Sequence, residues 1–183
     1  GFNSENTEYY IGKSVSVSGA QNLEALRRFR IRYQCGWPPV PGSSYLTSRE
    51  PDTNLDYSTI AALYPKPLIQ HETVQRCSYP DVDDIDKFTG SLTPGYLIIA
   101  RDQLEERGML EQNDDFVQAS GKWQVKQFKE EIEAGLRTKG FGGFQLLDIH
   151  DFLGQGTALV GVLDGFWDSK GYVSGEEFRK FCS

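Results

Sequence analysis

The sequence is poor in the residues that build disulfide scaffolds and metal sites. It contains three cysteines and two histidines among 183 residues, and no two cysteines form a Cys-X-X-Cys pair. Three scattered cysteines are too few for a disulfide framework, and the missing pair argues against a zinc site. One disulfide stays possible, so the cysteines do not decide between an oxidising and a reducing compartment.

Two catalytic motifs and one structural signal are also missing. No Gly-X-Gly-X-X-Gly follows a strand pattern, which argues against a dinucleotide cofactor, and no Gly-X-Ser-X-Gly elbow supports a serine hydrolase. No apolar run approaches the length of a membrane span. We therefore expect no metal, no other cofactor and no membrane partner.

The sequence has fewer positively charged than negatively charged residues. The chain has 19 lysines and arginines against 26 aspartates and glutamates, a net charge of −7. An acidic protein repels phosphate groups, so nucleic acid and anionic membranes are not expected as partners. The hydrophobic fraction of 38% and the aromatic fraction of 13% suit one folded domain with a sizeable core. Aromatic residues in an acidic setting fit a neutral ligand such as a sugar.

Short apolar runs alternate with helical patterns along the chain. The predicted strands cover residues 29–35, 68–72 and 144–149, and the segment 157–163 fits either a strand or a helix. The predicted helices cover residues 20–28, 55–63, 95–107, 116–137 and 174–181. This alternation is typical of an α/β fold with a parallel sheet, either an open doubly wound sheet or part of an α/β barrel.

Two of the predicted strands end in acidic residues. The first ends at His71-Glu72, and the second is followed by Asp148 and Asp151. In an α/β barrel the active site lies at the carboxyl ends of the strands, where a glutamate can act as a nucleophile or as a general acid/base. Structural roles remain open: Glu72 could cap a helix or pair with Arg76, and the aspartates could cap the glycine-rich loop that follows.

One segment near the end of the chain resembles a calcium-binding loop. Gly171 falls at the sixth position and Glu177 at the twelfth, but Phe166 and Lys170 occupy the first and fifth positions, where an EF-hand needs oxygen ligands. A lysine ammonium there would repel the ion. We predict instead a turn at Lys170 and Gly171, followed by a helix that Ser174 caps, with Glu177 completing a capping box.

Two stretches of the chain resemble glycoside hydrolase family 2. The first contains His71-Glu72, Gln75, Tyr79-Pro80, Asp84-Ile85 and Phe88-Thr-Gly90. The second contains GGFQLLDIHDFLGQGTALVG at residues 142–161, then Asp168-Ser-Lys-Gly171 and Glu177-Phe-Arg-Lys-Phe-Cys182. The similarity is to the large multidomain enzymes of carbohydrate-degrading bacteria. It is most specific over residues 57–182 and loose over residues 1–56.

The resemblance implies a fold and an activity. Family members cleave O-glycosidic bonds with retention on a (β/α)₈ barrel, and Glu72 matches their nucleophile at the end of the seventh strand. Residues 1–183 would then form a single domain, the C-terminal half of the barrel, roughly strands 5–8. The family's acid/base is the glutamate of an Asn-Glu pair, which is absent from this sequence. It is therefore expected outside the chain.

The resemblance also implies partners and a location. A half barrel would be inactive alone and would pair with the missing N-terminal half or with a second copy. The family suggests a secreted or periplasmic bacterial protein. The predicted substrate-binding residues around Glu72 are His71, Gln75, Tyr33, Trp37, Asp148, Asp151 and Gln155. One departure concerns Val74, where the family usually carries a glycine. The alternative function is a carbohydrate-binding or interaction module on a degenerate barrel, without catalysis.

Overall fold

The computed structural model describes residues 31–34, 50–62, 68–74, 76–146, 149–155 and 158–182. The chain divides into two compact units. Unit 1 comprises residues 1–74, 126–147 and 180–183, and unit 2 comprises residues 75–125 and 148–179. The predicted helix at 20–28 and the predicted loop at 36–44 lie outside the described residues.

Unit 1 contains a parallel sheet of three strands. In chain order these are β1 (Ile31–Gln34), β2 (Leu68–Thr73) and β3 (Phe141–Leu146), and β2 lies between the other two. All pairs are parallel, which confirms that part of the prediction. The register between β2 and β3 shifts twice: at Gly142, where β3 has an extra residue, and between Gln70 and Thr73, where β2 has one residue more than β3. A short helix, α1 (Ser58–Ala61), precedes β2 and is much shorter than predicted.

The C-terminal half of helix α3 (Asn113–Arg137) belongs to unit 1. The helix that precedes α3 in the chain lies in unit 2 and is described below. Ala134 is fully buried against Tyr57, whose ring lies 5.5 Å from the ring of Phe141 between centroids. The Thr138 hydroxyl accepts the backbone N–H of Tyr57 at 2.8 Å and donates to the carbonyl of Ala134 at 2.6 Å. These contacts fasten the loop before α1 to the last turn of α3.

Unit 2 contains helix α2 (Gly95–Glu106), the N-terminal half of α3, a short final helix and long irregular segments. Helix α2 starts directly after Pro94, which cannot donate a backbone hydrogen bond and is tolerated there. It ends in a Schellman motif: Gly108 has a φ of 65°, and the N–H of Met109 donates to the carbonyl of Leu104 at 2.9 Å. The predicted boundaries of this helix are confirmed to within one residue.

The remaining regular elements of unit 2 are short. They are two 3₁₀ turns, Val82–Lys87 and Leu110–Gln112, and the final helix α4 (Gly175–Arg179). Between them, buried Leu159 and Val160 anchor an extended segment that belongs to neither a strand nor a helix. Within the described ranges, no helix is both long and apolar enough to cross a membrane.

The prediction of half a (β/α)₈ barrel is wrong. Four consecutive barrel strands would each need a full covering helix, whereas the described residues hold a three-stranded sheet and four α-helices, two of which have only four and five residues. The apolar run 157–163, which was a candidate strand, forms no strand in its described part, where only Leu163 makes isolated β-bridges, to His150 and to Ser169. Its burial comes from packing in unit 2 and does not require sheet pairing.

Helix α3 is amphipathic, but its buried face differs from the predicted stripe. Phe128 and Ile132 are buried as expected, whereas Leu136 is 49% exposed. Polar side chains occupy the rest of the buried face, most notably Gln124 and Glu131. The periodicity therefore located the helix correctly and missed that several of its buried side chains are polar.

The closest packing on α3 lies at Gly121. A methyl group at this position would meet the Tyr172 ring at 2.1 Å, and the Tyr172 hydroxyl is held 2.7 Å from the Gln124 amide oxygen. We expect Gly121→Ala to lower the free energy of unfolding by about 1–3 kcal/mol through overpacking, despite the better helix propensity of alanine. Urea unfolding followed by circular dichroism measures the change.

The control is Gly95→Ala in the first turn of α2, where nothing lies within 4 Å of an added methyl group. This variant should be neutral or slightly stabilising. Equal stability of the two variants would contradict the packing of Tyr172 on α3.

Candidate functional site

The predicted nucleophile lies near the carboxyl end of the central strand of unit 1. Glu72 is the penultimate residue of β2, which ends at Thr73. His71 precedes it and pairs with Gln34, the last residue of β1, while Tyr33 pairs with Gln70. The structure therefore brings Tyr33, His71 and Glu72 together in backbone position at one end of the sheet. In parallel sheets this is the end at which ligands bind. The three side chains lie outside the described part.

A buried carboxylate of α3 holds the end of β2. Glu131 is 0% exposed, and its Oε2 atom accepts the backbone N–H of Val74 at 3.1 Å. The Glu131 carbonyl accepts the side-chain amide of buried Gln70 at 2.5 Å. Gly135 leaves room for this amide, because a methyl group there would lie 2.2 Å from the Gln70 side-chain oxygen. The helix thus fixes β2 on both sides of Glu72.

Sequence reasoning missed Glu131. Its signal was present, because Glu131 falls three residues after Phe128 and so lies on the apolar face of the helix. A carboxylate on such a face needs donors, since burying an unpaired charge is costly. The free N–H groups just beyond the end of a strand can supply them.

The backbone turns sharply directly after β2. Val74 has a φ of 56°, in the left-handed region that disfavours residues with a Cβ, and its side chain is 1% exposed. Glycine would adopt this conformation without strain. The chain therefore keeps the left-handed turn that a glycine would favour and accommodates a β-branched residue in it.

The strain at Val74 can be measured with two substitutions. Val74→Ala and Val74→Gly both remove the buried side chain, but only glycine also removes the clash of Cβ in the left-handed conformation. We expect the glycine variant to be more stable than the alanine variant by about 1 kcal/mol, the reverse of the order at ordinary positions. Urea unfolding of both variants tests the order. An alanine variant of greater stability would show that the turn is not left-handed in solution.

A second polar cluster lies in unit 2 around a buried ion pair. The Lys170 ammonium contacts the Asp151 carboxylate at 2.7 Å, the Ser78 hydroxyl at 3.0 Å and the Gly161 carbonyl at 3.0 Å. The backbone N–H of Gly161 donates to the same Asp151 oxygen at 3.0 Å. Both charged side chains are about 5% exposed, and all three donors of the lysine are used.

Burial dominates the protonation of Asp151. Loss of hydration raises the pKa of this carboxyl above its usual value, although the charge and hydrogen bond of Lys170 and the Gly161 N–H oppose the rise. Asp151 was predicted to bind sugar hydroxyls. Its carboxylate is engaged within the protein's own network, so sugar binding through this group stays a prediction.

The contacts of Lys170 also argue against a calcium-binding loop at residues 166–177. Lys170, at the fifth position of that loop, is committed to Asp151. Ser174 and Glu177 form the predicted capping box: the N–H of Ser174 donates to the Glu177 carboxylate at 2.9 Å, and the N–H of Glu177 donates to the Ser174 hydroxyl at 3.1 Å. The capping-box interpretation is confirmed. Elsewhere in the described residues, no group of three potential ligands is arranged to hold a metal.

A third charged cluster in unit 2 surrounds Lys87. Its ammonium contacts the carboxylates of Asp84 and Asp168, each at 3.0 Å, and that of Asp164. The Asp164 side chain is 4% exposed and also accepts the backbone N–H groups of Phe166 at 2.8 Å and Asp168 at 2.9 Å. Burial alone would raise the pKa of Asp164, but the hydrogen bonds from Lys87 and the two N–H groups outweigh it and lower the pKa.

The lowered pKa of Asp164 predicts a pH-dependent contribution to stability. A carboxyl with a depressed pKa in the folded state stabilises the protein above its unfolded pKa, near 3.8, and loses that effect as the pH falls through the folded pKa. We expect Asp164→Asn to cost about 1–3 kcal/mol at pH 7 and progressively less below pH ~3.8. Unfolding at a series of pH values measures the difference.

Asp102→Asn is the matched control, because Asp102 is 55% exposed and contacts only its neighbour Arg101 among the ion pairs described. Its cost should be near zero throughout. A cost for Asp164→Asn that did not change with pH would contradict the ionised state of Asp164.

The remaining predicted substrate-binding residues are Trp37, Gln75, Asp148 and Gln155. Trp37, Gln75 and Asp148 lie outside the described residues. Gln155 is exposed in a turn where its N–H donates to the carbonyl of Phe152 at 3.0 Å. Their roles in substrate binding stay predictions.

Comparison with known proteins adds no assignment. No protein-family model matches the chain, and no curated protein matches its sequence. The functional interpretation therefore depends on the residues and their geometry.

Proposed function

We propose that this chain carries the nucleophile of a retaining glycoside hydrolase, with Glu72 as that nucleophile. The observation that carries the proposal is the position of Glu72 near the carboxyl end of the central strand of a parallel sheet. The backbone there is fixed on both sides, by Gln70 and by Val74, through Glu131. A nucleophile needs such a fixed position, because small displacements from the attacking geometry cost large factors in rate.

The chemistry is a double displacement. The Glu72 carboxylate attacks the anomeric carbon and forms a glycosyl ester while a second carboxylic acid protonates the departing oxygen. The same second group then removes a proton from the water that hydrolyses the ester. Retention requires the two carboxyl groups to lie about 5–5.5 Å apart.

The second carboxyl group is not assigned within this chain. The Asn-Glu pair of the related family is absent from the sequence. Glu131 is a poor candidate, because it is fully buried and its carboxylate accepts the N–H of Val74. We propose that the acid/base comes from a polypeptide segment outside this sequence, and that the chain alone hydrolyses glycosides poorly or not at all.

The nucleophile assignment predicts a specific pattern of loss and rescue in the full-length polypeptide. Glu72→Gln and Glu72→Ala should each lower kcat/KM for an aryl glycoside by a factor of about 10⁴ or more. Sodium azide should restore turnover of the alanine variant only, because the azide ion can enter the space left by the carboxylate. It attacks the anomeric carbon, expels the phenolate and yields a glycosyl azide of inverted configuration.

Glu106→Gln is the control, since Glu106 ends α2 on an exposed surface and should leave kcat/KM unchanged. Undiminished turnover by Glu72→Gln would refute the nucleophile. If the wild-type protein binds sugars and hydrolyses none, the alternative of a carbohydrate-binding module without catalysis is favoured.

A further inference from the structure

Trp167 combines two costly features in unit 2. Its side chain is 62% exposed, and its backbone has a φ of 73°, in the left-handed region. An exposed indole contributes little to folding, and the left-handed conformation is unfavourable for any residue with a Cβ. Strained positions of this kind persist where the surrounding structure enforces them, and they concentrate at ligand sites.

The surrounding loop enforces the position of Trp167. The N–H of Asp164 donates to the carbonyl of Asp168 at 2.9 Å, and the N–H of Trp167 donates back to the carbonyl of Asp164 at 3.2 Å. The Asp164 carboxylate binds the two N–H groups on either side of Trp167 and the ammonium of Lys87. Phe166 packs edge-on against Phe88 with ring centroids 4.9 Å apart. The indole is therefore presented by a rigid, closed turn.

One face of the indole already has a partner. The His150 ring lies 4.3 Å from the Trp167 ring between centroids, with the planes inclined at 40°. His150 is itself held, because its Nδ1 atom lies 2.6 Å from the carbonyl of Asp151, which can only accept and so places a proton on Nδ1. Asp151 is fixed in turn by Lys170. The exposed indole surface thus lies on a preorganised support, which lowers the entropic cost of binding.

The geometry points to a neutral pyranose ring as the occupant: we propose that Trp167, supported by His150, is a stacking platform for a sugar. A flat aromatic face suits the apolar C–H face of a pyranose. The neighbouring Asp168 side chain is 67% exposed, and a carboxylate accepts hydrogen bonds from hydroxyl groups. The choice of a sugar as ligand class rests on the proposed function.

Two other ligand classes fit less well. Asp84, Asp164 and Asp168 outnumber Lys87 around this turn, and the chain has a net charge of −7, so anionic polymers are repelled. A quaternary ammonium held in an aromatic cage needs rings spaced around it, whereas the rings of Trp167 and His150 lie 4.3 Å apart between centroids and leave no space for a cation between them.

The test measures binding separately from catalysis. Gluco-, galacto- and xylo-configured β-1,4-linked tetrasaccharides are titrated into the full-length polypeptide, and binding is followed by calorimetry and by tryptophan fluorescence. We expect at least one of them to bind, and Trp167→Ala to weaken its binding about tenfold or more. Trp167→Tyr should retain most of the affinity, because it keeps an aromatic face. Trp123→Ala, which removes a 39% exposed indole from α3, should leave the affinity unchanged.

A third variant separates binding from folding. Trp167→Gly removes the backbone strain together with the indole, so it should raise the midpoint of thermal unfolding while losing the affinity. A loss of affinity that accompanied a lowered midpoint in all three Trp167 variants would indicate misfolding and overturn the proposal.

The remaining outcomes are equally decisive. Unchanged affinity in Trp167→Ala, the same loss in Trp123→Ala, no tetrasaccharide binding at millimolar concentration, or tighter binding of tetramethylammonium than of any tetrasaccharide would each refute the sugar platform. Glu72→Gln distinguishes this proposal from the proposed function, because it should abolish hydrolysis and leave Trp167-dependent binding intact. Trp167-dependent binding without any hydrolysis by the wild-type protein would contradict only the catalytic proposal.

Discussion

The backbone after β2 is held by one buried side chain of helix α3. Glu131 lies on the apolar face of α3 with no exposed surface, and its carboxylate accepts the N–H of Val74. A buried carboxyl oxygen needs such a donor, because leaving a buried acceptor without a hydrogen bond costs about 1–3 kcal/mol. The donor, Val74, has a φ of 56° and follows directly after the strand that carries Glu72. The backbone on both sides of the proposed nucleophile is thus held by hydrogen bonds to Glu131 of helix α3.

Unit 2 uses the same principle where regular structure is scarce. Gln124 of α3 donates to the carbonyls of Arg76 and Val160 and accepts the Tyr172 hydroxyl, so one side chain holds three separate segments. Lys170 and Asp164 fix their loops in the same way, through backbone groups as well as through ion pairs. Each of these buried polar groups needs a hydrogen-bond partner, because an unpaired one would destabilise the fold. They therefore specify loop conformations that hydrophobic packing alone would leave open.

Local signals predicted several elements well and the global architecture poorly. Pro94 and Gly108 bracket α2, and Ser174 with Glu177 marks the start of α4, because each residue acts on backbone groups within its own turn. Short apolar runs located β2 to within one residue and β3 three residues too late, and helical spacing located α3. The barrel prediction failed because an apolar run such as 157–163 is buried equally well by irregular packing, and a pattern does not reveal its partners.

For the candidate site, too, local features were predictable from the sequence and tertiary contacts were not. Glu72 was predictable as a carboxylate at a strand end, and its strand position agrees. The sequence did not predict the role of Glu131, because its contact with Val74 joins residues far apart in the chain. It did not predict the role of Trp167 either, because the left-handed backbone of that residue is set by its tertiary contacts. Nor did the sequence indicate that Val74, a β-branched residue, has the left-handed backbone conformation that glycine favours.

The proposed function requires that the Glu72 carboxylate attacks the anomeric carbon. The most direct measurement is trapping of the glycosyl ester with an activated 2-deoxy-2-fluoro glycoside in the full-length polypeptide, followed by mass spectrometry of tryptic peptides. Because Lys66 precedes a proline and resists trypsin, Glu72 is expected in the peptide spanning residues 50–76. The account predicts one fluoro-sugar on this peptide, assigned to Glu72 by fragmentation and absent from Glu72→Gln. A label on any other carboxylate, or turnover without a trapped ester, would contradict it.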